Sequence, residues 1–265
     1  MLNNQKIFLG TSNLLNAAIE CNTRYFIYVS TVDVVIGDDP IYFGAENTTP
    51  IPKSFVMGGY AKTKREGEVL VASYNKKPLC DGSGSLRTLI LRPSLLYGEG
   101  DPHFVTQTLR LTKKMGGKLL RIDNIFTRCQ VSYVGNAAWA CIKAKERIQV
   151  DDSISGEEFY ITDDTPILDP YDFLKPFLAM HGMTVSSWSV PFWLVLLLLT
   201  IVHFFVNLLK PVYHIKLPPT FDTKKIKYIC NTYFFNRNKA ILRLDYDPLF
   251  TPEESQTRAN EYYKT

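Results

Sequence analysis

The sequence predicts an α/β fold in which a parallel sheet is covered by helices. Residues 25–29 and 86–91 are short apolar runs with the length and β-branched content of buried strands. Between residues 9 and 160 such runs alternate with segments of helical spacing, which is the order typical of a parallel sheet. Because ligands of these sheets bind beyond the carboxyl ends of the strands, the polar residues that follow each strand are candidate functional groups.

The individual elements follow from periodicity and from turn residues. In the first predicted helix, Leu14, Leu15, Ala18 and Ile19 recur at helical spacing. Residues rich in Asp, Gly, Pro and Thr separate the periodic segments and predict loops. The predicted strands are residues 25–29, 86–91, 130–134 and 158–161. The predicted helices are residues 9–19, 60–74, 104–114, 136–146 and 171–181, and one that begins near residue 252. The predicted loops and turns are residues 37–52, 98–102 and 163–166.

Composition and charge exclude several classes of protein. The 265 residues are long enough to bury a core, and 46% apolar with 21% charged residues is ordinary globular composition. A net charge of +4, without a basic face, does not indicate a nucleic-acid partner. The five cysteines are widely spaced and form no Cys/His cluster. They indicate reduced, mostly buried thiols, and the sequence predicts no metal site.

Residues 190–209 are nearly all apolar, and the run is long enough to cross a bilayer. A buried core helix is the alternative. Trp188 and Trp193 lie near its start, where interfacial aromatic residues are expected. Basic residues follow it at positions 210, 216, 224, 225 and 227. If the tail completes the same domain, a helix that dips into one leaflet is preferred to a single span, and spanning stays open.

Tyr60 and Lys64 form a Tyr-x-x-x-Lys pair, which a helix places on one face. A phenol has a pKa near 10, and a neighbouring ammonium favours the phenolate. Such a tyrosine can exchange a proton with an alcohol or a carbonyl oxygen. Tyr171 and Lys175 have the same spacing by chance, since no strand that ends in a hydroxyl lies at the matching distance upstream. We therefore interpret Tyr171 as a core or interface aromatic residue.

Thr31 follows the apolar strand 25–29 and thus lies at a carboxyl end of the predicted sheet. A hydroxyl there could hydrogen-bond a substrate oxygen. On position alone, a hydroxyl that caps the next turn is the more frequent reason for such a residue.

Several stretches stand in an order that is typical of one enzyme family: Val29-Ser30-Thr31, Tyr60-x-x-x-Lys64, Leu91-Arg92-Pro93, Tyr97-Gly98-Glu99-Gly100, Tyr133-Val134-Gly135-Asn136-Ala137-Ala138-Trp139-Ala140 and Leu244-Asp245-Tyr246-Asp247-Pro248-Leu249. In these stretches the sequence resembles the extended short-chain dehydrogenases and, within them, the 3β-hydroxysteroid dehydrogenase/Δ5–4 isomerase family. The resemblance implies a Rossmann-type, doubly wound parallel sheet. It further implies that residues 1–150 form the C-terminal half of a dinucleotide-binding domain, so that the sheet is partial, and that residues 151–265 form a smaller substrate region with the apolar helix.

The resemblance also implies roles for single residues. Tyr60 would be the catalytic acid/base, and Lys64 would hold the nicotinamide ribose. Thr31 falls on the family's catalytic serine, with Ser30 as the alternative, and Pro93 would lie beside the nicotinamide.

The function implied is oxidation of a steroid or sterol 3β-hydroxyl with NAD or NADP, NAD being favoured, and with an isomerase step left open. The protein would be associated with the membrane of the endoplasmic reticulum, or alternatively of the mitochondrion, through residues 190–209. A homo-oligomer stays open.

The glycine-rich turn that cradles a dinucleotide pyrophosphate does not occur in this sequence. Gly98-Glu99-Gly100 follows a strand, but no third glycine comes and the turn lies after the tyrosine helix. The resemblance therefore implies a family member that is truncated at its N-terminus by about 100 residues of the dinucleotide-binding fold. A fragment or incomplete gene model, a short isoform and a non-catalytic protein that binds sterol or a partner are the open alternatives.

Overall fold

The computed structural model describes residues 2–123, 127–209 and 223–264. Its strands are β1 (Tyr25–Val29), β2 (Ile41–Gly44), β3 (Arg87–Pro93), β4 (Leu95–Tyr97), β5 (Lys118–Asp123), β6 (Val131–Tyr133), β7 (Glu158–Ile161), β8 (Thr184–Pro191) and β9 (Tyr233–Phe235). Its α-helices are α1 (Leu2–Glu20), α2 (Gly59–Tyr74), α3 (Val105–Lys114), α4 (Val134–Val150), α5 (Pro170–Ala179), α6 (Phe192–Leu209), α7 (Thr223–Ile229), α8 (Asn238–Leu244) and α9 (Pro252–Tyr263).

The central sheet has three parallel strands in the order β1-β3-β7. In its register Val29 lies beside Leu91, and Arg92 lies beside Tyr160. The predicted parallel α/β arrangement is thereby confirmed. Outside this sheet, three further pairs of strands are parallel: β2 with β9, β4 with β6, and β5 with β8. An isolated parallel bridge also joins Cys129 to Tyr233.

Helices cover both faces of the sheet because the strands alternate in the way that period 2 requires. In β3, Leu86 at the strand entrance and Ile90 pack with α1 and α2, whereas Leu89 and Leu91 pack with α4. In β1, Tyr28 faces the first pair of helices, so the same alternation holds on the neighbouring strand. The result is three layers, with one apolar cluster on each side of the sheet.

A second apolar core lies beyond the carboxyl ends of the strands and is rich in aromatic rings. Tyr97 is at its centre, with Phe173 at 5.0 Å and Tyr133 at 5.9 Å between ring centroids. The last helix, α9, contributes Tyr263 to this core. The turn at Gly98 makes the packing possible, because its φ of 115° is one that residues with a Cβ rarely adopt.

The structure differs from the sequence predictions mainly in short elements. Strand β2 lies within the predicted loop 37–52, and β4, β5, β8 and β9 were not predicted. The apolar segment 190–209 forms helix α6 only from Phe192, because its first two residues end strand β8. The basic positions 210 and 216 lie outside the described residues, and the division of the chain at residue 150 stays a prediction. The expectation of mostly buried thiols is wrong for Cys21 and Cys80, which are exposed.

Asn136 connects three separate parts of the chain through its side-chain amide. Its Nδ2 donates to Asp163 Oδ2 at 2.9 Å and to the Phe250 carbonyl at 3.0 Å, and its Oδ1 accepts from the Phe250 N–H at 2.8 Å. The side chain is 1% exposed. A buried amide of this kind stabilises the fold because the Phe250 backbone groups would otherwise lose their partner, and Asp163 Oδ2 would keep only the Tyr133 N–H.

We expect Asn136→Ala to lower the free energy of unfolding by about 2–4 kcal/mol, since the backbone N–H and carbonyl of Phe250 would lose their side-chain partner and Asp163 would lose one of its hydrogen bonds. Urea unfolding followed by circular dichroism measures the change. Asn260→Ala is the matched control, because Asn260 makes one bond with Gln256 within its own helix. Equal effects of the two substitutions would contradict the connecting role of Asn136.

Candidate active site

Helix α2 brings Tyr60 and Lys64 to the carboxyl end of β1. Gly58 precedes the helix with a φ of 58°, which lets the chain turn sharply into it. Tyr60 lies in the first helical turn and is 40% exposed, and Lys64 follows one turn later. The Lys64 ammonium donates to the Val29 carbonyl at 2.8 Å and lies 5.1 Å from the centroid of the Tyr28 ring. The predicted Tyr60–Lys64 pair is thus held against the last residues of the strand.

The pKa of Tyr60 is raised to about 12, first by burial of the phenol and then by the negative charge of Asp33 and by Tyr28. This direction is opposite to the lowering expected from a neighbouring ammonium. The reason is that burial of the phenol, together with the nearby Asp33 charge, raises the pKa. At neutral pH the phenol is therefore protonated and can donate a hydrogen bond to a substrate oxygen.

Ser30 and Thr31 follow β1 directly, and both are buried. The Thr31 hydroxyl accepts the Asp33 N–H at 3.2 Å and so caps the short 3₁₀ turn Val32–Val35. The Thr31 hydroxyl thus caps the turn, and it also lies close enough to the Asp33 carboxyl to lower the pKa of that group. The Ser30 hydroxyl is buried and makes no hydrogen bond of good geometry with the described residues, although it lies near enough to Glu68 to help lower the pKa of that carboxyl. A buried hydroxyl that lacks a hydrogen bond of good geometry is unusual and is one indication of a ligand site.

Asp33 lies in the same 3₁₀ turn and was not predicted from the sequence. Burial raises the pKa of its carboxyl to about 6, although hydrogen bonds from Tyr228 and Thr31 act in the lowering direction. Among the described residues its Oδ1 has no hydrogen-bond partner. The site therefore contains a carboxyl group that titrates near neutral pH beside the Tyr60 phenol.

A buried ion pair lies on the same helix face, further from the strand end. Glu68 accepts two hydrogen bonds from Arg92, each at 2.8 Å, and a third from Arg65 at 2.8 Å. Glu68 and Arg92 are 0% and 2% exposed. The only sequence signal for this pair was an arginine inside an otherwise apolar strand, since a charge in such a place needs a partner.

Pro93 ends strand β3 and lines a cavity of about 180 Å³. The other lining residues are apolar and come from the strand ends and from α4: Val29, Leu91, Leu96, Val134, Ala137, Ala138, Cys141 and Ile161. Pro93 and Tyr60 thus lie at the same edge of the sheet, on β3 and α2 respectively.

The residues at this edge fit the nicotinamide end of a dinucleotide. The ammonium of Lys64 and the hydroxyl of Ser30 suit ribose and alcohol oxygens, whereas the apolar cavity beside Pro93 lies on the α4 side of the sheet. By contrast, the 265 residues contain no glycine-rich turn for the pyrophosphate. Within the described part of the chain, no three His, Cys, Asp or Glu side chains lie together in a way that could hold a metal ion.

The second Tyr-x-x-x-Lys pair is structural. Tyr171 is buried in the aromatic core, and its hydroxyl accepts the Ile122 N–H at 2.8 Å. Lys175 is exposed and pairs with Asp172. The structure therefore brings Tyr60, Lys64, Ser30, Thr31 and Pro93 together at one edge and leaves this pair apart.

The chain is similar to known proteins both in sequence and in fold. Residues 4–192 match the model of the 3-beta hydroxysteroid dehydrogenase/isomerase family. The chain is 32% identical over 263 residues to mouse (Mus musculus) 3 beta-hydroxysteroid dehydrogenase type 7, covering 96% of this chain and 69% of the mouse protein.

Solved structures with a similar fold include two epimerases. UDP-glucose 4-epimerase from Thermotoga maritima has a TM-score of 0.63 at 17% identity, with 98% of this chain and 70% of that chain covered. UDP-glucuronic acid 4-epimerase from Bacillus cereus, in complex with UDP-glucuronic acid and NAD, has a TM-score of 0.62 at 17% identity, with 97% and 67% covered. At these identities the likeness concerns the fold.

We expect Asp33→Asn to stabilise the protein at neutral pH and to have little effect near pH 4. The folded state binds the Asp33 proton more tightly than the unfolded state, so ionisation between about pH 4 and pH 6 costs folding free energy. The gain should approach roughly 2–3 kcal/mol above that range. Urea unfolding at about pH 4 and pH 7.5 measures it.

Asp39→Asn is the control for this pair of measurements, because Asp39 is exposed a few residues away. A stability gain that does not depend on pH, or that also occurs in the control, would contradict the burial of an ionisable Asp33.

Proposed function

The chain belongs to the 3-beta hydroxysteroid dehydrogenase/isomerase family, and we propose that it oxidises the 3β-hydroxyl of a steroid or sterol with Tyr60, Lys64 and Thr31 at the reacting oxygen. It is an oxidoreductase of the steroid dehydrogenase type and uses a nicotinamide cofactor. The observation that carries the site assignment is the placement of Tyr60 and Lys64 on one face of α2, at the carboxyl end of β1 and next to the buried Ser30 hydroxyl.

Each of these side chains has a distinct part in the reaction. In reduction the protonated Tyr60 phenol gives its proton to the carbonyl oxygen, and in oxidation the Tyr60 phenolate takes the proton from the substrate hydroxyl. The hydroxyl of Thr31, or that of Ser30, donates a hydrogen bond to the same substrate oxygen. Lys64 holds the ribose hydroxyls, and Pro93 forms part of the surface beside the nicotinamide. When bound, the cofactor supplies the electron acceptor.

NAD is favoured over NADP as the cofactor. Support comes from the B. cereus epimerase of similar fold, which was solved with NAD. Titration of the purified chain with NAD(H) and with NADP(H), in mild detergent, compares the two directly. Tighter binding of NADP(H) would reverse this preference.

We expect Tyr60→Phe to lower the rate of steroid oxidation by about 10²–10⁴-fold, because the phenyl ring cannot exchange a proton with the alcohol. The assay follows reduced nicotinamide and the steroid ketone, with a Δ5-3β-hydroxysteroid as substrate. Analysis of the ketone product also shows whether the double bond has moved from Δ5 to Δ4.

Tyr74→Phe is the matched control, since Tyr74 ends the same helix and its hydroxyl donates to Asn16 at 2.6 Å, away from the strand ends. The control should keep parental turnover. Parental turnover in Tyr60→Phe would contradict the role of Tyr60. A folded parent chain that binds neither steroid nor nicotinamide would contradict the proposed reaction for this chain.

Helix α6 is proposed as the membrane-binding element. It is long and apolar enough to cross a bilayer, with a mean hydropathy of 2.4 and only 6% of its residues buried. Trp193 near its start is 65% exposed. Leu199 is 6% exposed, so one stripe of the helix packs against the protein while the opposite stripe faces outward. This arrangement supports a helix that lies in one leaflet, where lipophilic sterol substrates are also dissolved.

The membrane of the endoplasmic reticulum is the proposed location, with a mitochondrial membrane as the alternative. Fractionation of cells that produce the tagged chain distinguishes them. Recovery of the chain in the soluble fraction would contradict both.

We expect the triple substitution Leu197→Asp, Ile201→Asp and Phe205→Asp to weaken binding to phosphatidylcholine vesicles by at least about 100-fold. All three side chains are exposed on α6, and each would lose about 1.5–3 kcal/mol of apolar burial in lipid. Flotation on a density gradient measures the bound fraction. Leu242→Asp is the control because Leu242 is 79% exposed on another helix. Unchanged flotation of the triple variant would rule out α6 as the attachment.

A further inference from the structure

Glu68 on helix α2 and Arg92 on strand β3 form a buried, bidentate ion pair. Arg92 Nε donates to Glu68 Oε1, and Arg92 Nη2 donates to Oε2, both at 2.8 Å. Removing two charges from water costs several kcal/mol for each ion, and only tight geometry with every polar atom bonded recovers it. Arg65, which is one-third exposed, supplies a further bond to Oε2 at 2.8 Å. The carboxylate is thus held by two arginines.

This ion pair lies one helical turn from Lys64. Residues 64 and 68 are four apart in α2 and so share a face of the helix. Lys64 bonds to the end of β1 through the Val29 carbonyl, and Glu68 bonds to β3 through Arg92. Because Val29 and Leu91 are paired in the sheet, the two attachments of α2 fall on neighbouring strands at nearly the same level.

We propose that the Glu68–Arg92 ion pair is a positioning element for Lys64: it fixes the register of α2 on the sheet and places the Glu68 carboxylate one helical turn from the Lys64 ammonium. The inference rests on the proposed function only in that Lys64 is expected to serve the cofactor. Neither residue of the pair is placed in contact with substrate.

The charges around Lys64 support this assignment. On its own helix Lys64 has Glu68 and, beyond that carboxylate, Arg65; β1 contributes the Tyr28 ring, and β3 contributes Arg92. Burial lowers the pKa of Lys64, and the Glu68 charge acts in the opposite direction. Without that charge, Arg65 would lose its partner and Arg92 would keep only the more distant Glu158 carboxylate, at 3.8 Å, so the positive charge near the ammonium would be less well neutralised.

The experiment measures the titration of Lys64 itself and needs neither cofactor nor substrate. The lysines of the full chain are dimethylated with ¹³C-formaldehyde, and the Lys64 resonance is assigned by its absence in Lys64→Arg. In Glu68→Gln, which keeps the shape of the side chain, we expect this resonance to titrate about 1 pH unit lower than in the parent.

Glu66→Gln is the matched control. Glu66 is exposed on the same helix and pairs loosely with Lys62 at 4.0 Å, so the change in net charge is identical. We expect its Lys64 resonance to titrate as in the parent. An unchanged titration in folded Glu68→Gln, or an equal shift in Glu66→Gln, would overturn the proposal.

A second variant covers the case in which Glu68→Gln does not fold. The double variant Glu68→Gln/Arg92→Gln leaves no uncompensated charge in the pair, and a smaller downward shift of the Lys64 titration is expected. No shift there would equally overturn the proposal. Because the readout is a lysine titration, failure of steroid oxidation and failure of this inference are separate results.

Discussion

The attachment of helix α2 to the central sheet determines where Tyr60 and Lys64 lie relative to the strand-end groups Ser30, Thr31 and Pro93. Polar contacts at the strand ends make that attachment: Lys64 donates to the Val29 carbonyl, and Arg92 donates two hydrogen bonds to Glu68. Apolar packing of α2 alone would tolerate small shifts along the helix axis. The buried bidentate ion pair does not, because a displaced partner would leave a charge unpaired in the interior. The position of Tyr60, two turns before Glu68, follows from this constraint.

The features that the sequence predicted are those encoded over short distances. The strand 25–29 and the core of β3 are continuous apolar runs, and the pair Tyr60–Lys64 shares a helix face whatever the rest of the fold does. Placing them together required only that consecutive parallel strands end at the same edge of a sheet. For this reason the sequence predicted the gathering of Tyr60, Lys64, Ser30, Thr31 and Pro93 correctly, while their chemical roles stay predictions.

The features that escaped prediction depend on partners far away in the chain. Strand β9 has three residues and exists because β2 pairs with it across nearly two hundred positions. The sequence around Asp33 gives no sign that its carboxyl is buried or that Tyr228, nearly two hundred residues later, hydrogen-bonds to it. Similarly, the direction of the Tyr60 pKa depends on the burial and on the Asp33 charge that the tertiary structure imposes. Local spacing carries no information about any of these contacts.

Buried polar groups that lower the stability of the folded state lie close together at the carboxyl ends of the strands. Asp33 is a buried carboxyl with an unpartnered oxygen, and Ser30 is a buried hydroxyl without a hydrogen bond of good geometry to the described residues. Each such group costs free energy, because water would have bonded to it in the unfolded chain. The apolar clusters on both faces of the sheet offset that cost, with Leu89 and Ile90 pointing to opposite sides. Buried polar groups that destabilise the fold are expected at functional sites. Their presence at the carboxyl ends of the strands therefore supports the proposed active site there, as the geometry does.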